Sequence, residues 1–231
     1  MTGRGIWAVV PAKDLSAAKQ RLAGLLSLAE RQALACAMLE DVLGALAAVP
    51  GLAGLLVVTR DAELAATARR LDARLMTDLR HDGPTAAVTA AAAQLAAAGA
   101  EGMLAVPADI PLASAAEFAE VLTAMRPAPS VTLAPALADM GSNAVALAPV
   151  GAIPLAFGTR SFFRHQEAAL RRGIEPLILR LPGIGLDLDR PEDIAAFLTR
   201  PSPARSYVFL QDCGVAARLA KARLAAPGHA S

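Results

Sequence analysis

Ala8-Val-Val-Pro11-Ala12-Lys13-Asp-Leu-Ser-Ala-Ala-Lys19-Gln-Arg21-Leu22 is the stretch that decides the fold. The apolar run Ile6 to Val10 that leads into it is too short for a helix and carries β-branched residues. It reads as a buried first strand. Pro11 removes a backbone donor and ends the run. Three cations follow, Lys13, Lys19 and Arg21. Open α/β sheets place their ligands where loops leave the carboxyl ends of the strands. Three cations there suit a polyanion such as a triphosphate. A solvated turn leading into an amphipathic helix is the plainer alternative.

Working outward, strand and helix alternate. The capping box Ser27-Leu-Ala-Glu30 opens a long helix with Leu34, Met38, Val42 and Leu46 on one face. Leu55 to Thr59 reads as a strand, and Asp61 caps a helix running to Leu71. Arg74 to Thr77 is a third strand. The turn Asp82-Gly83-Pro84-Thr85 starts an alanine-rich helix. Met103 to Val106 is a strand, and Ser114 with Glu117 caps the next helix, which runs to about Met125. Val131 to Ala134 and Asn143 to Leu147 form a hairpin. Ser161 caps a helix to Arg172. Leu177 to Leu181 and Leu186 to Leu188 are strands, and Pro191 opens a helix to Leu198. This alternation predicts an α/β fold with a mostly parallel, doubly wound sheet. Residues 1–200 read as one domain. Pro201-Ser-Pro203 reads as a linker, followed by a basic helical tail, Val215 to Leu224, with Arg218, Lys221 and Arg223.

Composition bounds the function. The chain has 231 residues, 55% hydrophobic and only 3% aromatic, with formal net charge +1. The near-neutral charge and the scarcity of stacking rings argue against nucleic acid as a partner. Cys36 and Cys213 are far apart and form neither a zinc nor a disulfide pattern. The apolar stretch Ala86 to Ala100, interrupted by Thr89 and Gln94, falls short of a membrane span. A soluble, cytoplasmic protein with no membrane partner is expected. The Ala/Leu-rich helices serve equally as core or as the interface of a homodimer.

Carboxylates supply the second set of clues. Asp109 follows a strand directly, stiffened by Pro107 and Pro111. Asp187 and Asp189 stand two apart in an extended segment, which turns both to one side. Such oxygen ligands suit Mg2+, which completes its shell with phosphates and water. Asp189 also precedes Arg190-Pro191, where a helix cap would stand. Gly141-Ser142-Asn143 precedes a strand, and Gly158 with Ser161 opens a helix, a natural anion site. His165, one turn into that helix, reads more readily as a surface or half-buried residue than as a functional one. His81 and His229 have no partner pattern. No Walker loop, dinucleotide fingerprint, nucleophile elbow or zinc-protease motif occurs.

Taken in order, these stretches resemble the 2-phospho-L-lactate guanylyltransferase family of coenzyme F420 biosynthesis. The resemblance is carried by Val10 to Leu22, Leu28 to Arg31, Met38 to Leu43, Pro107 to Leu112, Gly141 to Asn143, Phe157 to His165 and Leu186 to Asp193, spanning about residues 6 to 200. It implies a nucleotide-diphospho-sugar transferase-like three-layer α/β/α sandwich. The reaction it implies moves GMP from GTP to 2-phospho-L-lactate, phosphoenolpyruvate or 3-phospho-D-glycerate and releases pyrophosphate. Lys13, Lys19 and Arg21 would be catalytic, holding the phosphates. Pro11, Ala12, Lys13, Gly83, Thr85 and Pro107 would bind nucleotide. Ser142, Asn143, Gly158 and Ser161 would bind the acceptor, and Asp109, Asp187 and Asp189 would bind Mg2+. The family's Gly-Leu-Asn-x-Ala near the base is here Gly83-Pro-Thr85-Ala-Ala87, and its Gly-Thr-Asn is Gly141-Ser-Asn143. A binding-only paralogue, or a nucleotide-sugar transferase of the same fold, is the alternative function.

Overall fold

In the computed structural model, residues 4–77 and 83–225 are described. Asp82 of the expected turn, His81 and His229 lie outside them. Seven strands form one sheet: β1 (Ile6–Pro11), β2 (Leu52–Val58), β3 (Arg74–Met76), β4 (Gly102–Ala105), β5 (Ser130–Pro135), β6 (Ser142–Ala148) and β7 (Leu177–Ile178). Their order is β3-β2-β1-β4-β6-β5-β7. β6 runs antiparallel to both its neighbours, and the other pairs are parallel.

The period-two pattern of β1 shows why the sheet has two covered faces. Ala8 and Val10 point into one core cluster, with Leu39, Leu43, Leu64 and Phe118. Trp7 and Val9 point into the other, with Val88, Leu95 and Phe162. A strand buried on both faces reads as an unbroken apolar run. The first face is covered by α1 (Leu28–Ala47), α2 (Ala62–Arg70) and α4 (Ala115–Thr123). The second carries α3 (Gly83–Ala97) and α5 (Ser161–Leu170). The result is a three-layer α/β/α sandwich. Both expected capping boxes are present, Ser27 with Glu30 and Ser114 with Glu117.

Three expectations change. Ser161 is the first residue of α5 and does not cap it; Arg160 stands at the N-cap position, with no side-chain cap bond. Leu186 to Leu188 forms no strand. Leu188 N–H instead donates to the carbonyl of Asp109, at 2.9 Å, which fastens the segment to the loop after β4. The strand expected over Leu177 to Leu181 shortens to two residues.

The chain after α6 (Pro191–Leu198) packs back onto the domain. A helix not expected from the sequence, α7 (Arg205–Asp212), precedes α8 (Val215–Ala225). Tyr207, Leu210, Val215 and Leu219 share a third core cluster with Leu34 and Met38 of α1 and Phe197 of α6. Asp41 of α1 does the work of a missing cap. Ala204, before α7, has no side-chain acceptor. The Asp41 carboxylate accepts from Arg205 N–H at 2.7 Å, Ser206 N–H at 3.0 Å and Ser206 Oγ at 2.6 Å. Asp41→Ala strips acceptors from all three donors and is expected to cost about 1–3 kcal/mol of stability, read as a lower urea midpoint with an unchanged slope. No helix among the described residues is long and apolar enough to cross a membrane.

Candidate active site

The chain runs from β1 to β2 and β3 on one side, then returns to lay β4 on the other side of β1. The crevice outside the carboxyl ends of β1 and β4 is therefore the topological switch point, where such sheets bind ligands. A cavity of about 650 Å³ opens there. Pro11, Ala12, Lys13, Lys19 and Arg21 line it from the loop after β1, and Pro107 and Asp109 from the loop after β4. Ser142 and Asn143 of β6, Gly158 and Ser161 at the start of α5, and Asp187 and Asp189 complete the wall. Of the expected site residues, Gly83 and Thr85 do not line it; Pro84 and Val88 of the same helix do.

The loop after β1 is held on both flanks. Ala12 N–H donates to Val58 O at 2.9 Å. The Asp61 carboxylate accepts from Glu63 and Leu64 N–H, capping α2, and from Leu15 N–H at 3.1 Å. Lys19 then adopts a left-handed backbone, φ 45° and ψ 47°. That conformation is uncommon for a residue with a Cβ and persists only where its surroundings enforce it.

Lys19 is the hinge of the electrostatics. Its Nζ lies 2.6 Å from Asp109 Oδ2 and 2.6 Å from Asp189 Oδ1, with 9% of the side chain exposed. Burial alone would lower its pKa, but the two carboxylates outweigh burial and hold it above the ordinary lysine value. Asp189 is the mirror case: burial pushes it up, and Lys19 overcomes that and holds it low. Asp189 also meets Arg21 at 3.6 Å. It does not cap α6. Asp193 reaches back to the N–H groups of Asp189 and Arg190 at 3.0 and 2.8 Å and fills that role. Lys13 and Arg21, by contrast, are exposed at the rim.

Among the described residues Asp187 has no such counter-ion. Burial first, and then the charge of Asp109, raise its pKa to about 6. Its contact is the Asn143 amide, which donates to Asp187 Oδ1 at 3.3 Å and to Ile184 O at 2.9 Å. The Asn143 hydrogens are thus spent on aiming the carboxylate. Among the described residues no three acidic, histidine or cysteine side chains are spaced as a ready metal cage.

Next to Asn143, Ser142 Oγ lies 2.8 Å from Nδ1 of His165, and Ser142 N–H donates to Ser161 Oγ at 2.8 Å. His165 is fully buried, which corrects the surface or half-buried expectation. Phe162, His165 and Ala169 share the buried face of α5 at helical spacing, a signal the sequence did carry. Burial, and then Arg164, lower the His165 pKa to about 4, so the ring is neutral near pH 7. Its Nε2 accepts from Ala156 N–H at 2.9 Å, and Phe157 stacks edge-on at 5.2 Å. The Thr85 hydroxyl accepts from Phe157 N–H at 2.9 Å, so it braces this loop instead of facing the cavity. Asp139 holds the Gly141 turn by accepting from Gly141 N–H at 2.7 Å.

The family described as "Guanylyl transferase CofC like" matches residues 6–225. That span takes in α7 and most of the segment beyond residue 200, where the resemblance had been expected to stop. A phosphoenolpyruvate guanylyltransferase of Rubrobacter xylanophilus is 39% identical over 192 residues, covering 82% of this chain and 92% of that one. A 3-phospho-D-glycerate guanylyltransferase of Colwellia psychrerythraea is 35% identical, covering 84% and 92%. Among solved structures, one from Desulfovibrio desulfuricans G20 superposes with a TM-score of 0.74 at 14% identity, covering 96% of this chain and 98% of that one. One from Anaerococcus prevotii gives 0.59 at 15% identity, covering 86% and 100%. A nucleotidyltransferase-like sandwich, cations and carboxylates converging at its switch point, and a match across nearly the whole sequence together place this chain in the CofC-like guanylyl transferase family.

Proposed function

We propose that this enzyme transfers GMP from GTP to a phosphorylated three-carbon acid and releases pyrophosphate, in the coenzyme F420 biosynthesis that the resemblance implies. The observation that carries the reading is the lining of the cavity. Cations, carboxylates and the serines Ser142 and Ser161 converge on it, and among the described residues that line it no two side chains form a hydrogen-bonded general acid–base pair with a nucleophile. That is the equipment of a reaction that needs positioning and charge stabilisation only.

In the step, an oxygen of the acceptor's phosphate attacks the α-phosphorus of GTP in line. A new P–O bond forms, the bond from the α-phosphorus to the bridging oxygen breaks, and pyrophosphate leaves with the electron pair. The attacking phosphate is already an anion, so no side chain has to remove a proton. Lys13 and Arg21, exposed at the rim, hold the triphosphate and the charge that grows on pyrophosphate. Lys19 is tied to Asp109 and Asp189, and its part is to fix those carboxylates. Ser142, Gly158 and Ser161 face the acceptor. Gly158 has φ +114°, a conformation that leaves its backbone open to close approach and suits glycine.

The residues fit Mg2+. Asp187 is a half-buried carboxylate with no counter-ion among the described residues, pressed upward by burial and then by Asp109, and a divalent cation is the charge it lacks. Asp109 and Asp187 would hold it, and phosphate oxygens would complete the shell, as Mg2+ prefers. When bound it would neutralise phosphate charge at the reacting phosphorus.

The test is pyrophosphate release from GTP and Mg2+ with phosphoenolpyruvate, 2-phospho-L-lactate and 3-phospho-D-glycerate offered separately, and ATP and CTP as controls. Release with GTP and one acid is expected. Silence with every acid from a folded protein would overturn the reading in favour of a binding-only role. Release with CTP or ATP instead would overturn guanine selection, which Thr85 does not contact the cavity to provide.

A further inference from the structure

The hydrogen-bond chain behind the acceptor wall has only one consistent direction. Ala156 N–H has a fixed hydrogen, so His165 Nε2 is the acceptor in their 2.9 Å bond. A neutral imidazole carries one N–H, which must therefore sit on Nδ1. Nδ1–H then donates to Ser142 Oγ across 2.8 Å. With that lone pair taken, the Ser142 hydroxyl hydrogen has to turn away from His165. Ser161 is set the same way. Its Oγ accepts from Ser142 N–H at 2.8 Å, which leaves its own hydrogen to donate elsewhere. Among the described residues neither hydroxyl hydrogen has an acceptor, and both serines line the cavity. Buried donors are rarely left unmade, and each is costly to strand.

We infer that His165 is a positioning residue: by accepting from Ala156 and donating to Ser142, it fixes the Ser142 hydroxyl as a donor toward the cavity, beside the Ser161 hydroxyl that the Ser142 N–H sets the same way, a polarity that selects an anionic acceptor group. This rests on the acceptor reading given above for what the donors meet. The direction of the chain rests on the hydrogen bonds alone. Thr85 and Phe157 support it at one remove, since Thr85 anchors Phe157, the residue after Ala156.

The first experiment reads the tautomer directly, by 15N NMR of histidine-labelled full-length protein near pH 7, with no ligand. The expected result is His165 protonated on Nδ1 and unprotonated on Nε2. The Nε2–H form, or a mixture of the two, would overturn the inference. The second experiment is a double-mutant cycle on acceptor KM. His165→Leu is expected to raise acceptor KM about 10- to 100-fold, as loss of a hydrogen bond to a charged group does. GTP KM should stay nearly unchanged. In the Ser142→Ala background, His165→Leu should add little. His165→Asn, which keeps a donor near the Nδ1 position, should recover part of the loss.

Costs that add fully in the Ser142→Ala background, or that fall on GTP KM, would mean a merely structural histidine and would overturn the proposal. The two failures separate cleanly. If the wild-type chain binds neither phosphoenolpyruvate nor 3-phospho-D-glycerate by calorimetry, the acceptor reading falls, and the anion clause of this inference with it. The tautomer measurement still decides the polarity in that case, and it needs no variant to fold.

Discussion

Lys19→Met is expected to lower kcat/KM by about 10^2- to 10^3-fold and to destabilise the protein. Among the described residues, the Nζ of Lys19 alone pairs with both Asp109 and Asp189, each at 2.6 Å. Without it, two carboxylates that arrive from distant parts of the chain repel each other. The side chains of Asp109 and Asp189 keep 27% and 39% exposure, so water screens part of the cost. About 1–3 kcal/mol is expected, below the value for a fully buried pair. The pH dependence follows from the two shifts. Lys19 is raised above 10.5, so its contribution is complete below that value and is lost as pH rises through the folded pKa. Asp189 is lowered below 3.8, so its contribution is complete above that value and is lost as pH falls through the folded pKa. The ion pair is therefore flat across neutral pH, and the stability lost in Lys19→Met should be the same at pH 6 and pH 8. A thermal-denaturation series at both values tests this. Full activity in Lys19→Met with pyrophosphate release unchanged would show that the carboxylates need no such clamp.

The same residue marks what the sequence could and could not tell. The first strand and its loop were legible because an unbroken apolar run followed by proline has few other readings. Asp109 was legible for a similar reason, through its flanking prolines, and Asp187 and Asp189 through their spacing. The partners of Lys19 were not legible. They lie 90 and 170 residues away, and only the sheet order brings them together. A lysine in a loop after β1 therefore read as a phosphate ligand, whereas its ammonium lies on two carboxylates. Asn143 was read as an acceptor ligand, yet its amide hydrogens go to Ile184 and Asp187. Thr85 was read as a nucleotide contact, yet its hydroxyl braces Phe157. In each case the residue type was informative and the direction of the side chain was not. α7 was missed for a different reason. Pro201-Ser-Pro203 reads as a linker, and the cap that starts α7 comes from Asp41, outside the helix's own sequence.

Asp187→Asn is expected to separate stability from activity. Activity should fall about 10^2- to 10^3-fold, because the amide is a poor ligand for a divalent cation and carries no charge to attract one. Stability without Mg2+ should rise. The folded chain holds the Asp187 proton up to about pH 6, against 3.8 for the ordinary group. Between those values the folded state binds more protons than the unfolded one, so stability declines as pH rises through the interval and stays lower above it. A neutral isostere removes that penalty. The shift corresponds to about 3 kcal/mol, and partial exposure of the group reduces the expected gain to about 1–2 kcal/mol, or a Tm higher by about 2–8 °C. Asn143 can still donate to the oxygen of the new amide, so the local geometry is kept. Mg2+ should then reverse the order of the two proteins. Binding to the folded state alone stabilises it in proportion to the logarithm of cation concentration over Kd. The wild-type Tm should climb with Mg2+ at pH 8, and the Asp187→Asn Tm should not. A variant that is less stable than wild type in EDTA, or that gains as much from Mg2+, would show that Asp187 is a structural carboxylate and that the cation is held elsewhere. The expected outcome has a plain physical reason: burial, and then the neighbouring Asp109 charge, penalise an ionised Asp187, and removing its charge removes both penalties.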